Sequence, residues 1–437
     1  MKDVISIGMI GFGTVGSGVV KLLEEEKDLF EKRVGAKLVL KKIADLDITT
    51  PRVVSPPPDT LTTNVMEVIA DPDIDIVVEL MGGYEPAHSF LLKAIEAKKH
   101  VVTANKALIA TRGSDLFQAA EENGVDVGFE ASVGGTIPII KTLKESLVAN
   151  RIQSIFGIMN GTANFILTKM TDDGDAFDIV LKEAQRLGFA EADPTFDIEG
   201  TDTAHKLAIV LSLAYGKNVN LKDIYVEGIT GITDQDIAFA RDLGYRIKLL
   251  AIAIDRGDAV EARVHPTMIP FSHLLANVNA NFNAFHVVGS ASGSIFLYGQ
   301  GAGMMPTASA VMGDVVDIAR NIRMGISSRV PARSIRETDV RDINLRPFEE
   351  IESNYYFRFS AVDRSGVLSK ISGILGERNI SICTVIQKGR TKQGAVPVVM
   401  TTYKARERDV RAALQAIDRL DVVLDKTVVI RVEDDKL

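Results

Sequence analysis

Three glycines near the start of the chain restrict its fold more than any other feature. Gly11, Gly13 and Gly16 follow a short apolar stretch, Val4–Ile10, and precede an amphipathic stretch over residues 15–29. In a GxGxxG run between strand and helix, the first glycine permits the tight turn. The second lets backbone approach a pyrophosphate, and the third allows close helix–strand packing. The helix start then offers N–H groups and a partial positive charge to phosphates. Gly11, Phe12, Gly13, Thr14, Val15 and Gly16 are therefore the candidate cofactor contacts. The bland alternative is a tight turn whose glycines serve packing alone. Strand-like runs recur at Lys37–Ala44, 74–80, His100–Thr103 and 125–129, with helices expected at 86–97 and 114–123. Such alternation implies an α/β unit with a parallel sheet and right-handed crossovers.

The end of the second strand governs which dinucleotide fits. Asp45 and Asp47 stand there, with no arginine before Arg52. A carboxylate at that point bonds the ribose hydroxyls of NAD and repels the 2′-phosphate of NADP. Asp45 lies farther from the third glycine than is usual, and Lys41 and Lys42 could reach a phosphate. NAD is favoured and NADP stays open.

With 437 residues the chain should hold two or three domains. A helix is expected over 137–148 with Pro138 in its first turn. Strand-rich runs follow at 152–159, 247–254, 260–264, 284–288 and 294–297, so this part reads as a second, α+β domain. Residues 326–353 are charged, carry Pro331 and Pro347, and read as a linker. From 354 onward the order is βαββαβ, a ferredoxin-like sandwich. The expected boundaries are 1–134, with 304–325 packing back near it, 135–303, 326–353 and 354–437. A net charge of −8 disfavours nucleic acid and anionic membrane as partners. Cys383 is the only cysteine, so no intrachain disulfide forms and a reducing cytoplasm is expected. No apolar stretch reaches membrane-spanning length, and no signal-peptide pattern opens the chain.

Chemistry concentrates in GFAEADPTFDIEGTDTAHKLAIV, residues 188–210. Glu191, Asp193, Asp197, Glu199 and Asp202 run up to one lysine, Lys206, with only His205 as a further basic group. A helix starting near Gly200 and Thr201 would put Asp202 and Lys206 on one face. The plain reading is a surface ion pair worth roughly 0.3–0.5 kcal/mol; the acids upstream favour a site that binds an amino compound and moves a proton. Earlier, HVVTANKA would deliver Lys106 to the carboxyl edge of the parallel sheet, where ligands bind, unless it is a solvated loop lysine. NGTAN, residues 160–164, is a polar turn or an active-site loop. No His/Cys spacing suggests zinc, and His205 reads as a packing or hydrogen-bonding residue.

The segments GFGTVG, TANKALIA, EASVGGTIPII, NGTANFILT, GFAEADPTFDIEGTDTAHKLAI and GAGMMPTASAV, in that order, resemble the homoserine dehydrogenase family over residues 4–325. The C-terminal DRSGVLSKISGILGERNISI resembles an ACT domain, an amino-acid-binding regulatory module. The resemblance implies a Rossmann-type nucleotide-binding domain, an α+β substrate and dimerisation domain, and a ferredoxin-like ACT domain. It implies interconversion of L-aspartate 4-semialdehyde and L-homoserine, on the route to threonine, isoleucine and methionine. Lys206 matches the family's proton carrier and Lys106 its second active-site lysine, near both nicotinamide and substrate. Glu191 and Asp202 match substrate-binding positions, and Asp197 a further acid of the site. Gly188 and Gly303 match positions lining the cofactor. Backbone oxygens of Glu130, Val133, Gly135 and Ile137 match a sodium site, where the residues alone read as a glycine turn. In the ACT-like segment the resemblance implies threonine as effector, with the turn from Asp363 to Gly366 presenting backbone N–H groups to it; a purely dimerising role is the alternative. A homodimer or homotetramer is expected in either case. An amino-acid sensor that kept a nucleotide fold without catalysis is the competing function, and another small-substrate dehydrogenase is a nearer one.

Overall fold

The computed structural model describes residues 2–387 and 394–433. It divides into two compact units, one of residues 1–154, 205–222 and 283–343, the other of 155–204, 223–282 and 344–437.

The first unit opens with β1 (Val4–Ile10), α1 (Thr14–Glu25), α2 (Lys27–Val34), β2 (Lys37–Ala44), β3 (Leu61–Thr62) and α3 (Met66–Ile69). There follow β4 (Ile76–Glu79), α4 (Ala87–Glu96), β5 (His100–Thr103), α5 (Lys106–Asn123) and β6 (Val127–Gly128). The strands form one parallel sheet in the order β3-β2-β1-β4-β5-β6. Strand order reverses between β1 and β4, the switch point at which such sheets bind ligands.

Two helices differ from expectation. Residues 15–29 were expected as one amphipathic run, but α1 stops at Glu25 and α2 restarts at Lys27. Glu24 to Asp28 puts five charged residues where the apolar stripe Val19, Val20, Leu23 should continue. The break at Glu26 turns Phe30 and Val34 back into the core. Helix α5 begins eight residues before the expected start at 114, because Asn105 caps it by accepting from the Leu108 N–H at 3.1 Å.

After β6 come the short helix α6 (Ile139–Lys141), which runs into a π-helical turn, and β7 (Ile152–Ile158). Pro138 is the N-cap of this segment rather than a first-turn residue. Next are α7 (Gly161–Asp173), α8 (Phe177–Arg186), α9 (Thr195–Ile198), α10 (Thr201–Tyr215), β8 (Lys217–Asn218), β9 (Tyr225–Val226) and α11 (Asp234–Asp242). The chain continues through β10 (Tyr245–Asp255), β11 (Val260–Pro270), β12 (Phe282–Gly289), β13 (Gly293–Gln300), α12 (Met304–Met324) and β14 (Arg341–Asp342). It closes with β15 (Glu352–Val362), α13 (Val367–Glu377), β16 (Ile382–Gln387), β17 (Ala395–Thr402), β18 (Ala405–Arg406), α14 (Glu407–Ile417) and β19 (Val423–Val432).

In the first unit α12 packs along α1, so closely that a side chain at Gly18 would meet the Met304 carbonyl oxygen at 2.7 Å. In the second unit the sheet runs β7-β10-β11-β19-β15-β17-β16. The βαββαβ module is thus not strung on a tether: β19 pairs in parallel with β11, Thr267 opposite Arg431 and Met268 opposite Val432. Charges are buried along this seam. The Arg431 guanidinium meets Glu407 (2.6 and 3.1 Å) and Glu227 (2.6 Å), and Arg263 meets Glu433 (2.7 Å). Tyr225 stacks on Phe348, with Arg411 and Arg431 against the pair. On β15, Arg358 holds Asp236 of α11 at 2.7 and 2.9 Å, and the Tyr356 hydroxyl donates to it at 3.1 Å.

Candidate active site

In the first unit each glycine of the loop meets a different constraint. Gly11 adopts φ +101°, and a Cβ there would lie 2.7 Å from the Leu80 carbonyl carbon. A Cβ on Gly16 would lie 2.6 Å from the Gly11 oxygen, whereas one on Gly13 would meet nothing within 4 Å. Gly13 is therefore the open position, and it leads into α1 without a side-chain cap. Those first-turn N–H groups suit a pyrophosphate. Thr14 is exposed and Val15 half-buried, while Phe12 is buried. The Phe12 N–H donates to Asp45 Oδ2, and the Asp47 N–H donates to Asp45 Oδ1 at 2.8 Å. Asp45 thus braces the glycine loop from the end of β2. Arg52 folds back to 3.3 Å from Asp47 and 4.0 Å from Asp45, which chain distance alone did not reveal.

At the carboxyl edge of β4 and β5 a buried glutamate organises the turn. Glu79 accepts from the Thr103 hydroxyl at 2.6 Å and from the N–H groups of Met81 and Gly82. The Thr103 oxygen accepts from the Asn105 N–H, and the Asn105 amide donates to Gly83 O at 2.6 Å. Threonine and asparagine therefore fix the backbone that presents Lys106, half-buried, as the first residue of α5. Glu79 was not singled out from the sequence; a carboxylate closing the apolar run IDIVVEL was the available signal.

The loop 130–137 turns through Gly134 (φ +75°) and Gly135 (φ +59°), and a side chain at Gly135 would collide with the Gln300–Gly301 backbone. The Glu130 carboxylate accepts from the N–H groups of Ile140 (2.8 Å) and Lys141 (2.9 Å), and the Glu130 N–H donates to Asp314 (2.8 Å). Burial, followed by the neighbouring Asp314, pushes the Glu130 carboxyl up to about 7. The Glu130 and Ile137 carbonyls accept from Val133 N and Ile139 N, each keeping a second lone pair. Among the described residues no group of three or more His, Cys, Asp or Glu side chains could hold a metal ion. What the loop offers is uncharged oxygen, a donor set suited to a hard monovalent cation. The buried Asn283 amide, packed on Gly301, finds no hydrogen-bond partner among the described residues. Gly303, at φ +133°, is the N-cap of α12 and has no side-chain cap either.

In the second unit the acidic run separates into different environments. Gly188 (φ +77°) and Glu191 lie on an exposed turn after α8. Asp193 is exposed and accepts from the Thr195 N–H at 3.1 Å, which starts α9; hydrogen bonds from Thr195 hold its carboxyl below the usual range. Glu199 accepts from the Thr230 hydroxyl at 3.0 Å. Asp197 and Asp202 are brought together by Asn160. This residue caps α7, its Oδ1 accepting from Ala163 N at 2.7 Å, while its Nδ2 donates to Asp197 Oδ1 at 2.7 Å and Asp202 Oδ2 at 2.8 Å. On α10, whose residues from His205 onward count with the first unit, Asp202 is 1 % exposed and Lys206, one turn later, 8 %. A solvated surface ion pair does not have that burial. His205 is 3 % exposed and packs inside. In the C-terminal module Asp363 is exposed, and Gly366 (φ +88°) is the N-cap of α13.

Comparisons with known proteins agree with one another. The sequence matches the family described as homoserine dehydrogenase, NAD binding domain, over residues 11–130, homoserine dehydrogenase over 138–316, and ACT domain over 355–422. It is 45% identical to a homoserine dehydrogenase of Neisseria gonorrhoeae over 98% of each chain, and 43% identical to one of Bacillus subtilis, again over 98% of each. The crystal structure of a homoserine dehydrogenase from Thiobacillus denitrificans superposes with a TM-score of 0.93 at 46% identity, over 99% of this chain and 98% of that one. A hyperthermophilic archaeal homoserine dehydrogenase in complex with NADPH gives a TM-score of 0.62 at 27% identity, over 72% of this chain and 97% of that one.

Proposed function

The chain belongs to the homoserine dehydrogenase family, and from that premise we propose a division of labour among its residues. The enzyme is an oxidoreductase that uses a nicotinamide cofactor to interconvert L-aspartate 4-semialdehyde and L-homoserine. Residue roles, cofactor preference, cation, effector and assembly are our reading.

The observation that carries the site assignment is the buried Asp202–Lys206 turn, with Asp197 and Asp202 held by one amide. When bound, the cofactor supplies or accepts a hydride at the substrate carbon. In reduction Lys206 gives a proton to the aldehyde oxygen as it becomes the hydroxyl; in oxidation it takes that proton back. Lys106 stands near nicotinamide and substrate, and its ammonium stabilises charge developing on the oxygen. Glu191 and Asp202 hold the substrate ammonium, and Asp197 orients the reacting end. Oxidation requires neutral lysine, so homoserine turnover should rise with pH. An assay of NADH and NADPH oxidation with aspartate semialdehyde tests the whole reading; no turnover with either would refute it in favour of a non-catalytic sensor.

The residues facing a dinucleotide are Gly11, Phe12, Gly13, Thr14, Val15 and Gly16, with Asp45 at the ribose and Gly188 and Gly303 lining the cofactor. Asp45 and Asp47 support a preference for NAD, while Arg52 beside them is the group that would tolerate NADP. Equal-concentration turnover with the two cofactors separates these; strong NADPH preference would reverse the choice. The carbonyls of Glu130, Val133, Gly135 and Ile137 fit Na+. Thermal unfolding in NaCl against choline chloride tests this, with no difference counting against it. Threonine is the proposed inhibitor at the Asp363–Gly366 turn of the ACT domain, tested by titrating it against activity and binding. We further propose a cytoplasmic homodimer or homotetramer, to be measured by light scattering.

A further inference from the structure

We propose that Lys248 is a positioning residue for the Asp197–Asp202 carboxylate pair, acting through Asn164 and residues 276–282 on the first turn of α7. The inference rests on the reading above in which that pair contacts substrate.

Lys248, on β10, is 2 % exposed. A buried amine is expensive unless its hydrogen bonds are made. Here no carboxylate ion-pairs with it among the described residues; it donates instead to Val278 O (2.6 Å), Asn164 Oδ1 (3.0 Å) and, longer, Asn279 Oδ1 (3.4 Å). Taking Asn164 Oδ1 fixes which way that amide faces, so Asn164 Nδ2 donates to Val278 O and Phe282 O, both at 3.1 Å. The same segment is pinned twice more. Arg246 donates to Ala276 O and Asn279 Oδ1, and Ala280 N donates to the Thr168 hydroxyl at 3.2 Å. Ala280 is held at φ +54°, a left-handed conformation that a residue with a Cβ keeps only where its surroundings impose it.

What this pinned segment abuts is the beginning of α7. A Cβ on Gly161 would lie 2.8 Å from Asn281 O, so the segment's backbone sits directly against the residue that follows Asn160. Asn164 N also donates to Asn160 O at 3.2 Å, closing the same turn. Asn160 in turn holds both carboxylates. The amine therefore acts at a distance, on the backbone that aims the Asn160 amide. Losing it should loosen the substrate pair and spare the glycine loop.

The test uses the full-length enzyme with Lys248→Met, Asn164→Ala, the double variant and Asp202→Asn as reference. Lys248→Met should lower kcat/KM for homoserine about tenfold, as a displaced positioning group does, and leave the cofactor KM within about twofold. The double variant should be no worse than Asn164→Ala, because the two act in series. Hydrogen exchange should quicken at 161–164 and 280–282 and not at 11–16. If Lys248→Met does not fold, Asn164→Ala alone must show the same selective loss. Equal damage to cofactor and substrate terms, additive losses, or an unchanged homoserine term beside an impaired Asp202→Asn would overturn the proposal. An unimpaired Asp202→Asn would instead remove the reading on which it stands.

Discussion

The two units arrange their polar groups from different materials. Around the glycine loop the groups offered are mostly backbone: N–H groups at helix starts, carbonyls in the 130–137 loop, and glycines that let main chain approach. In the second unit they are side chains whose charges are buried and held by other side chains, as Asn160 holds Asp197 and Asp202, and Glu407 holds Arg431. Backbone recognition tolerates substitution of neighbours but not of the glycines. Side-chain recognition fails when any one partner is removed.

The largest effect is expected at Lys206, a buried charged side chain that belongs to the first unit and so is the exception to this contrast. Lys206→Ala should lower turnover about 10³-fold while calorimetric cofactor affinity stays near that of the parent; substantial retained turnover would reject the assignment. Next in size is Arg431→Met, which leaves the buried Glu407 with only Arg411 (2.9 Å) and the Tyr355 hydroxyl (2.9 Å) and should cost about 3 kcal/mol in urea unfolding. A loss under 1 kcal/mol would mean the seam is far better solvated than its burial implies. For the backbone side, Gly11→Ala should impair cofactor binding strongly, since it forces a Cβ into Leu80 at positive φ. Gly13→Ala, with open space around it, should keep the fold and weaken only the bound cofactor; equal unfolding of both variants would erase the distinction.

The smallest effect is a pH slope. Burial, then the nearby Arg246, lowers the Lys248 amine from 10.5 to about 7. Between those values the unfolded chain binds a proton that the folded chain does not, so this group makes stability rise with pH across that window and contributes its full penalty below it. Lys248→Met should flatten the rise of Tm from pH 7 to 10, and an unchanged slope would contradict the assignment.

Legibility follows the same divide. The parallel sheet, its glycine loop and the βαββαβ module could be read because their signals are local: glycine spacing, short apolar runs, a cap three residues from its donor. Strand β11 could not be read so well. Its alternation of Glu261, Arg263, His265 and Thr267 with apolar residues looks like one wet face, yet every one of these polar residues is buried. Glu261 and Arg263 pair with each other along the strand, but Arg263 draws its other partner, Glu433, from far along the chain, and burial beside Arg431 and Arg263 pushes the His265 imidazole well below its ordinary value. The acidic run was visible as a cluster, but not its sorting. Asp193 is occupied locally by Thr195 and Glu199 by the distant Thr230, while the sharing of Asn160 by Asp197 and Asp202 depends on where α7 begins. Glu79 closed an apolar run and Asn164 ended NGTAN without showing their partners, and Lys248 gave no pattern at all, since a single polar residue in an apolar strand does not announce its acceptor.

The parallel pairing of β11 with β19 has a consequence for biosynthesis. A strand from the middle of the chain acquires its neighbour only when the final strand has been made, and non-local pairings of this kind are slow to close. On the ribosome the glycine-loop sheet can complete itself early, whereas the sheet of the second unit waits with a hydrogen-bonding edge exposed. C-terminal truncation should therefore act less like removal of a regulator than like arrest of an unfinished sheet, yielding aggregation rather than a desensitised enzyme.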